Sequence, residues 1–320
     1  MGGDWAIVCG WSFYGRIDKW RIRTLTLTRI IRFRIEYAAL LGLAFWARLL
    51  PRRLSLESGR YLGRLACLLQ PKRRRQADEN MRLALPEVSE DERREKVRQV
   101  FEHTGISAIE MLRLNLFRSK SDDLQRYFDL VGMDHLRDAL ALGRGVLVLT
   151  GHVGFWEVGN YTQPEQGFPF DVVAKPMKNP LSDRYITRLR ESYGARVLDS
   201  KKGARRILKS LQEGRSVAIL LDQHISPPGS VKVDFFGRKA YTTTAITNMA
   251  MKYQIPVVPI FTYRLQGYRY RLEAEPMMML EDGDGQEMVL KNTQLLTDRI
   301  EAAVRRDVTQ WFWMHNRWRD

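Results

Sequence analysis

The feature that most constrains this chain is an alternation, from residue 127 onwards, of short apolar runs with helical stretches. Runs such as VLVL at 146–149 and VAILL at 217–221 carry no charge, as strands buried on both faces of a parallel sheet require. Such strands alternating with helices favour an α/β layer architecture. We therefore predict an α/β fold with a mixed, mostly parallel sheet that is flanked by helices.

Seven strands and six helices are predicted in this part of the chain. The strands cover residues 127–131, 146–149, 170–174, 195–198, 216–221, 257–263 and 268–273. The helices cover residues 133–142, 155–161, 181–193, 204–213, 242–253 and 288–305. Helical periodicity also precedes them, and Ser89 with Glu92 has the spacing of a capping box. The sheet is thus expected to follow a set of N-terminal helices.

The positive charge is concentrated at the front of the chain. The net charge is +15, and residues 1–75 hold 16 Lys and Arg against 4 Asp and Glu, whereas the remaining 245 residues hold 36 against 33. A nucleic-acid enzyme more often carries its basic stripe on the catalytic body, so the nearly neutral body argues against a nucleic-acid partner. A basic segment beside an apolar one is typical of the cytoplasmic face of an anionic membrane.

The apolar companion is the uncharged run YAALLGLAFWA at 37–47. Eleven helical residues span about 16 Å, which is roughly half of a hydrocarbon core. We interpret the run as a short interfacial or half-inserted membrane anchor, with Trp46, Arg48, Arg52 and Arg53 at the level of the headgroups. The alternative is an ordinary buried helix. The preceding basic residues favour the membrane.

Candidate chemistry follows the strand at 146–149, where the chain continues as TGHVGFWE. In α/β sheets, ligands bind beyond the carboxyl ends of the strands. Gly151 and Gly154 would allow a sharp turn and the close approach of a substrate, and His152 could exchange a proton near neutral pH. Glu157 could orient the imidazole. The alternative is a turn histidine that is satisfied by backbone hydrogen bonds.

A second polar cluster, Asp222 and Gln223, follows the strand at 216–221. Asp222 could instead cap a turn. Arg188 and Arg190 lie on the predicted helix at 181–193, where an arginine is usually a solvated surface residue. These polar side chains are candidates for substrate binding.

Two other classes of protein are excluded by missing motifs. The two cysteines, Cys9 and Cys67, cannot form a disulfide framework or a cysteine-based zinc module. The sequence contains neither the Gly-x-Ser-x-Gly of a nucleophile elbow nor the His-Glu-x-x-His of a zinc hydrolase. We therefore expect no metal and no serine nucleophile.

Several ordered motifs together resemble those of one enzyme family. They are GHVGFWE, KPMKNPLSDRYITRLRESYGARVL, VAILLDQH, DFFGRKAYTTT, IPVVPIFTYR and the closing WFWMHNRW. The chain resembles the late acyltransferases of lipid A biosynthesis, the lauroyl and myristoyl transferases within the lysophospholipid acyltransferase superfamily. The similarity covers about residues 36–320 and is far more specific than one His-x4-Glu spacing.

The resemblance implies a role for each matching residue. It implies that His152 is the general base and that Glu157 orients it, in the family's HX4E motif. It connects Arg190 and Asp222 with activity, and it suggests more weakly that Lys175 and Arg188 contact a phosphate or headgroup. Direct transfer without an acyl-enzyme and without a cofactor is expected, since a hydroxyl that attacks a thioester only has to lose a proton.

The resemblance also implies partners and a location. The donor is an acyl carrier protein thioester or acyl-CoA, and the acceptor is an anionic glycolipid, a lipid A precursor. The location is the cytoplasmic face of the inner membrane. An acceptor such as a phosphatidylinositol mannoside or lysophospholipid stays open. The basic front end could hold the anionic leaflet, dock an acidic carrier protein, or serve only as an anchor.

Three parts of the chain are predicted on this basis. Residues 1–35 form a basic arm that we expect to be poorly ordered, and residues 36–70 form a membrane-associated helical segment. Residues 71–320 form an α/β catalytic domain that resembles the glycerolipid acyltransferases.

Overall fold

The computed structural model describes residues 27–120, 122–200, 203–283 and 285–319. The first 26 residues of the predicted arm lie outside this range. The helices are α1 Leu27–Leu49, α2 Arg52–Leu69, α3 Pro71–Ala84, α4 Glu90–Arg113, α5 Asp123–Tyr127, α6 Met133–Ala141, α7 Gly159–Glu165, α8 Pro180–Arg190, α9 Gly203–Gln212, α10 Ala245–Tyr253 and α11 Gln286–Arg306. The strands are β1 Phe128–Val131, β2 Val146–Thr150, β3 Phe170–Ala174, β4 Arg196–Asp199, β5 Ser216–Leu220, β6 Ser230–Phe235, β7 Arg238–Thr243, β8 Val257–Arg264 and β9 Tyr270–Ala274.

The seven predicted strands form one sheet in the order β1-β9-β8-β2-β5-β3-β4. The five strands β8, β2, β5, β3 and β4 run parallel to one another. Strand β9 runs antiparallel to β8, and β1 runs parallel to β9. Every residue of β2 and β8 is buried, because helices cover both faces of the sheet. The predicted mixed, mostly parallel sheet flanked by helices is confirmed.

A second, two-stranded sheet was missed by the sequence analysis. Strands β6 and β7 pair antiparallel around a turn at Phe236 and Gly237. Their charged residues hide the strand pattern, because Lys232 and Asp234 point outward while Val233 and Phe235 are buried. Partly exposed strands of this kind lack the uncharged runs that revealed the central sheet.

Helix α2 packs closely against α4 through glycine contacts. A Cβ atom on Gly63 would stand 2.2 Å from the carbonyl oxygen of Phe101, and one on Gly105 would stand 2.2 Å from that of Gly59. Only a residue without a side chain allows this approach. At the start of α4, the Ser89 hydroxyl accepts the Glu92 N–H at 3.4 Å, as the capping box predicts.

Helix α1 is longer than the predicted apolar run, because 23 residues are helical, about 34 Å at the usual rise. Its arginines favour helix as well as its leucines do. Arg48 Nε donates to Leu112 O at 3.1 Å, and Asn179 Nδ2 donates to Phe33 O at 2.9 Å, so α1 is tied to α4 and to the start of α8. Within the described residues, no helix combines the length and the apolar composition that crossing a bilayer demands.

Candidate functional site

The two polar clusters of the sequence meet because β2 and β5 are neighbours in the sheet. Thr150 at the end of β2 is paired in register with Leu220 at the end of β5. His152 and Asp222 each lie two residues further along, at the carboxyl edge where α/β folds bind ligands. Chain order hides this proximity, since β3 and β4 come between β2 and β5 in sequence.

Asp222 holds His152 through two hydrogen bonds. His152 Nδ1 lies 2.8 Å from Asp222 Oδ1, and the His152 backbone N–H donates to Asp222 Oδ2 at 2.7 Å. The Asp222 side chain is 1% exposed, whereas that of His152 is 19% exposed. The carboxylate is therefore sealed from water while the imidazole stays within reach of a substrate.

The pKa of Asp222 is lowered to about 2. Burial alone would raise it, but the charge and hydrogen bonds of His152 and the indole N–H of Trp311 outweigh burial. Trp311 Nε1 donates to Asp222 Oδ2 at 2.7 Å. An ionised carboxylate only accepts hydrogen bonds, so the proton of the neutral imidazole sits on Nδ1. His152 Nε2 is then an acceptor, and it faces Gln223 Nε2 at 3.2 Å.

Glu157 does not occupy the position that the sequence analysis gave it. Arg190 Nε donates to Glu157 Oε2 at 2.9 Å, Arg190 Nη2 donates to Oε1, and Asn160 Nδ2 lies 3.1 Å from Oε2. The side chain of Glu157 thus pairs with α8, and Asp222 supplies the contact to the imidazole. The reason is topological: β5 delivers Asp222 beside His152, whereas the short helical turn after Phe155 carries Glu157 towards α8.

The two predicted glycines have structural reasons to be glycine. Gly154 has a φ of +59°, and a Cβ there would stand 2.1 Å from the carbonyl oxygen of Thr262. A Cβ on Gly151 would stand 3.2 Å from Asp222 Oδ2. Both glycines therefore let the His152 turn fit between the strand ends.

A large cavity, the main cavity, opens beside His152 with a volume of about 1100 Å³. His152, Glu157, Arg190, Gln223 and Lys175 line it, so five of the predicted site residues come together. Arg188 is exposed on α8, and it is not part of the lining found among the described residues. Much of the remaining lining is apolar and includes Val172, Ile207, Leu208, Ile219 and Met249.

A smaller cavity, the side cavity, of about 240 Å³ lies on another side of His152. His103 and Ser107 of α4 line it, and both contact Arg264, a buried residue of β8. Burial and the charge of Arg264 lower the pKa of His103 to about 4. His103 is therefore neutral at neutral pH. No local sequence pattern reveals this network, because Arg264 lies far along the chain from His103 and Ser107.

The closing aromatic segment also contributes to the site. Its residues Trp311 and Trp313 are buried, with 2% and 0% of their surface exposed. Gly154 N donates to Gln310 O at 2.8 Å. The segment therefore packs directly against the His152 turn, and Trp311 reaches Asp222 from there.

In this site a buried carboxylate holds a histidine beside a large apolar cavity, at the carboxyl edge of a parallel sheet. The arrangement is typical of a class of enzyme in which a histidine can activate a nucleophile for attack on an apolar substrate. The sequence model of the family described as bacterial lipid A biosynthesis acyltransferase matches residues 26–320. The chain belongs to this family, and it is an enzyme that transfers acyl groups.

Curated relatives agree with this assignment. The chain is 26% identical to a lipid A biosynthesis acyltransferase of Haemophilus influenzae, over 86% of this chain and 83% of the relative. It is 28% identical to the lipid A biosynthesis lauroyltransferase of Escherichia coli, over 84% and 87%. It is also 26% identical to a phosphatidylinositol mannoside acyltransferase of Mycolicibacterium smegmatis, over 61% and 64%.

Proposed function

We propose that this enzyme transfers a fatty acyl group from an acyl carrier protein thioester to a hydroxyl group of a lipid A precursor, with His152 as the general base. The observation that carries the proposal is the hydrogen bond from His152 Nδ1 to the buried, ionised Asp222 beside the main cavity. This bond leaves Nε2 as the proton acceptor and stabilises the imidazolium that forms.

The reaction then needs one general base and no covalent intermediate. The acceptor hydroxyl takes the place of the Gln223 amide at His152 Nε2 and gives up its proton as its oxygen attacks the thioester carbonyl carbon. The tetrahedral intermediate collapses, the C–S bond breaks, and the imidazolium returns the proton to the departing thiolate. The products are an ester and a free thiol.

Arg190 is the cation that would stabilise the negative charge on the carbonyl oxygen. The backbone N–H groups of the turn are engaged already: His152 N donates to Asp222, Val153 N to Gly151 O, and Gly154 N to Gln310 O. Burial would lower the pKa of Arg190, but its hydrogen bond to Glu157 holds that pKa above its usual value. Glu157 is thereby a positioning residue for Arg190.

The main cavity suits the acyl donor. Its volume and apolar lining fit a fatty acyl chain. Lys175, Arg205 and Arg319 also line it, and their positive charges complement an acidic carrier protein or the phosphate groups of a substrate.

The N-terminal helices would hold the enzyme at the cytoplasmic face of the inner membrane. Large apolar side chains are exposed along both of them, including Leu27 and Phe45 on α1 and Leu65, Leu68 and Leu69 on α2. Soluble surfaces rarely expose so much contiguous apolar area. Their exposure supports an interfacial position, with the arginines of α1 and α2 at the headgroups.

A second candidate is acyl transfer from acyl-CoA to another polar lipid. It is favoured by the relatives named phosphatidylinositol mannoside acyltransferase, which match 61% of this chain. The same His152 chemistry would serve that acceptor.

The test uses membranes from cells that express the full chain or the His152→Ala variant. A panel of acyl carrier protein and CoA thioesters is supplied with either the tetra-acylated lipid A precursor or a phosphatidylinositol mannoside, and the products are weighed by mass spectrometry. We expect wild type to add one acyl group and His152→Ala, at equal abundance and thermal stability, to add none. Equal transfer by both proteins would exclude His152 as the base. Transfer only to a phosphatidylinositol mannoside acceptor would favour the second candidate.

A further inference from the structure

A third cavity, the arginine cavity, lies where α2, α4 and β9 meet, and it has a volume of about 260 Å³. In the part of the chain that the structure describes, its lining shares no residue with the main or side cavity. The proposed reaction therefore does not use it. Four arginines line it, namely Arg52, Arg113, Arg118 and Arg126.

The arginines outnumber the carboxylates in the lining of the cavity. Its lining includes two carboxylates, Glu110 and Asp123. Glu110 is already engaged, because both of its oxygens accept hydrogen bonds from Arg264 and Oε1 also accepts one from Tyr270. Asp123 Oδ2 accepts the backbone N–H of Arg118 at 2.8 Å. The lining of the cavity thus carries more positive than negative charge.

The two inner guanidinium groups bond to uncharged oxygens. Arg52 Nη2 donates to Tyr268 O at 2.7 Å and to the Tyr270 hydroxyl at 2.9 Å. Arg113 Nη1 donates to the carbonyl oxygens of Ala47 and Leu50. Burial, and then the positive charges of Arg52 and Arg48, lower the pKa of Arg113. Like charges at this distance repel one another, and an anion bound between them would offset the repulsion.

Two of the four arginines lie over the same tyrosine ring. The Arg52 guanidinium lies 4.4 Å from the centre of the Tyr127 ring, and that of Arg126 lies 5.5 Å from it. Planar guanidinium groups that are fixed on an aromatic ring present their N–H groups in the geometry that binds phosphate oxygens bidentately. The cavity has the space of several water molecules, which is enough for a phosphoryl group.

We propose that the arginine cavity is a binding site for a phosphoryl group, separate from the site of acyl transfer. Arg52 and Arg126 bind its oxygens, and Arg113 supplies charge from the inner wall. Arg52 begins α2, the helix whose exposed leucines favour a lipid surface. The phosphoryl group belongs either to a lipid headgroup or to a soluble phosphate, and the two arms of the test distinguish these sources.

The test uses the full chain and three variants. Arg126→Gln removes an exposed side chain that contributes to the cavity wall, and Arg52→Gln removes an inner donor. Arg94→Gln is the matched control, because it makes the same change of charge on an exposed residue of α4, about 28 Å along the helix from Arg113. The first arm measures the rise of the melting temperature with inorganic phosphate. The second measures flotation with phosphatidylcholine vesicles that contain or lack phosphatidic acid.

We expect wild type and Arg94→Gln to respond equally and Arg126→Gln to need about tenfold more phosphate or phosphatidic acid, the usual effect of one lost charge-assisted contact. A response to phosphatidic acid alone that depends on Arg126 identifies the lipid as the source. If Arg126→Gln and Arg52→Gln respond to both probes as Arg94→Gln does, the proposed site is wrong. The readout is binding, so the result does not depend on whether the enzyme acts on lipid A.

Discussion

The hydrogen-bond partner of His152 is decided by which strand ends are neighbours in the sheet. The strand ends and the glycine turn predict His152, Asp222 and Gln223 as candidate residues, and Arg190 lies on a predicted helix. Local spacing suggested Glu157 as the partner of His152, whereas the hydrogen bonds join His152 to Asp222 and Glu157 to Arg190. Which side chains meet depends on strand order, which spacing along the chain does not encode.

At the residue scale, the role of Arg190 can be separated from that of Arg188 on the same helix. Arg190→Gln removes the cation that we assign to the developing oxyanion, so we expect kcat to fall by about 10²–10³-fold, with partial recovery in Arg190→Lys. Arg188 is exposed, and Arg188→Gln should change kcat by less than about twofold. Steady-state transfer kinetics measure both.

A control separates the charge of Arg190 from its structural contact. Removing Arg190 alone leaves Glu157 as an unpaired buried carboxylate, which is itself destabilising. The double variant Arg190→Gln with Glu157→Gln should recover the melting temperature but not kcat. Recovery of kcat as well would show that Arg190 acts only by holding the structure together.

At the scale of elements, the contact between α2 and α4 depends on its glycines. The Cβ of Gly63→Ala would meet the backbone of Phe101 at 2.2 Å, so we expect a loss of about 1–3 kcal/mol in the free energy of unfolding. Gly42→Ala is the matched change in α1, where no atom stands within 4 Å of the added Cβ. It should stabilise the protein by about 0.5–1 kcal/mol. Urea unfolding of both variants measures the contrast, and equal effects would contradict the packing.

The exposed leucines of α2 give the membrane proposal its own test. Leu65 and Leu69 are 49% and 70% exposed, and each would lose about 1.5–3 kcal/mol of burial in lipid when replaced by glutamate. We expect Leu65→Glu and Leu69→Glu each to weaken binding to vesicles by at least about tenfold. Leu142→Glu, at the end of α6 and 46% exposed, is the control. If all three variants bind vesicles equally, the proposed position of α2 at the membrane surface is wrong.

At the scale of the whole molecule, two partly buried histidines make stability depend on pH. The pKa values of His103 and His315 are lowered from 6.5 to about 4, chiefly by burial. The unfolded chain therefore binds more protons between pH 6.5 and 4, and stability is lost as the pH falls through this range. His103 alone should account for about 2 kcal/mol between pH 7 and 5. Urea unfolding at both pH values should show a smaller loss in His103→Gln, and an unchanged loss would contradict a neutral His103.

The fold as a whole was more predictable than its tertiary contacts. All seven strands of the central sheet were expected, and the uncharged runs of β2 and β5 mark strands that are buried on both faces. The hairpin of β6 and β7 was missed, since most of its residues are exposed or only partly buried. The length of α1 was also missed, because its charged first half hid a continuous helix. The Arg264 network joins α4 to β8, and no sequence pattern within either element predicts that contact.

Sheet topology, rather than nearness in sequence, selects the partner of His152. The most direct measurement compares kcat for acyl transfer in Asp222→Asn and Glu157→Gln, with melting temperatures as a check of folding. The amide of Asp222→Asn would favour the wrong imidazole tautomer, so we predict a loss on the order of 10³–10⁴-fold. Glu157→Gln keeps an acceptor for Arg190 and should lose about tenfold. A large loss in Glu157→Gln together with near-normal turnover in Asp222→Asn would contradict the account.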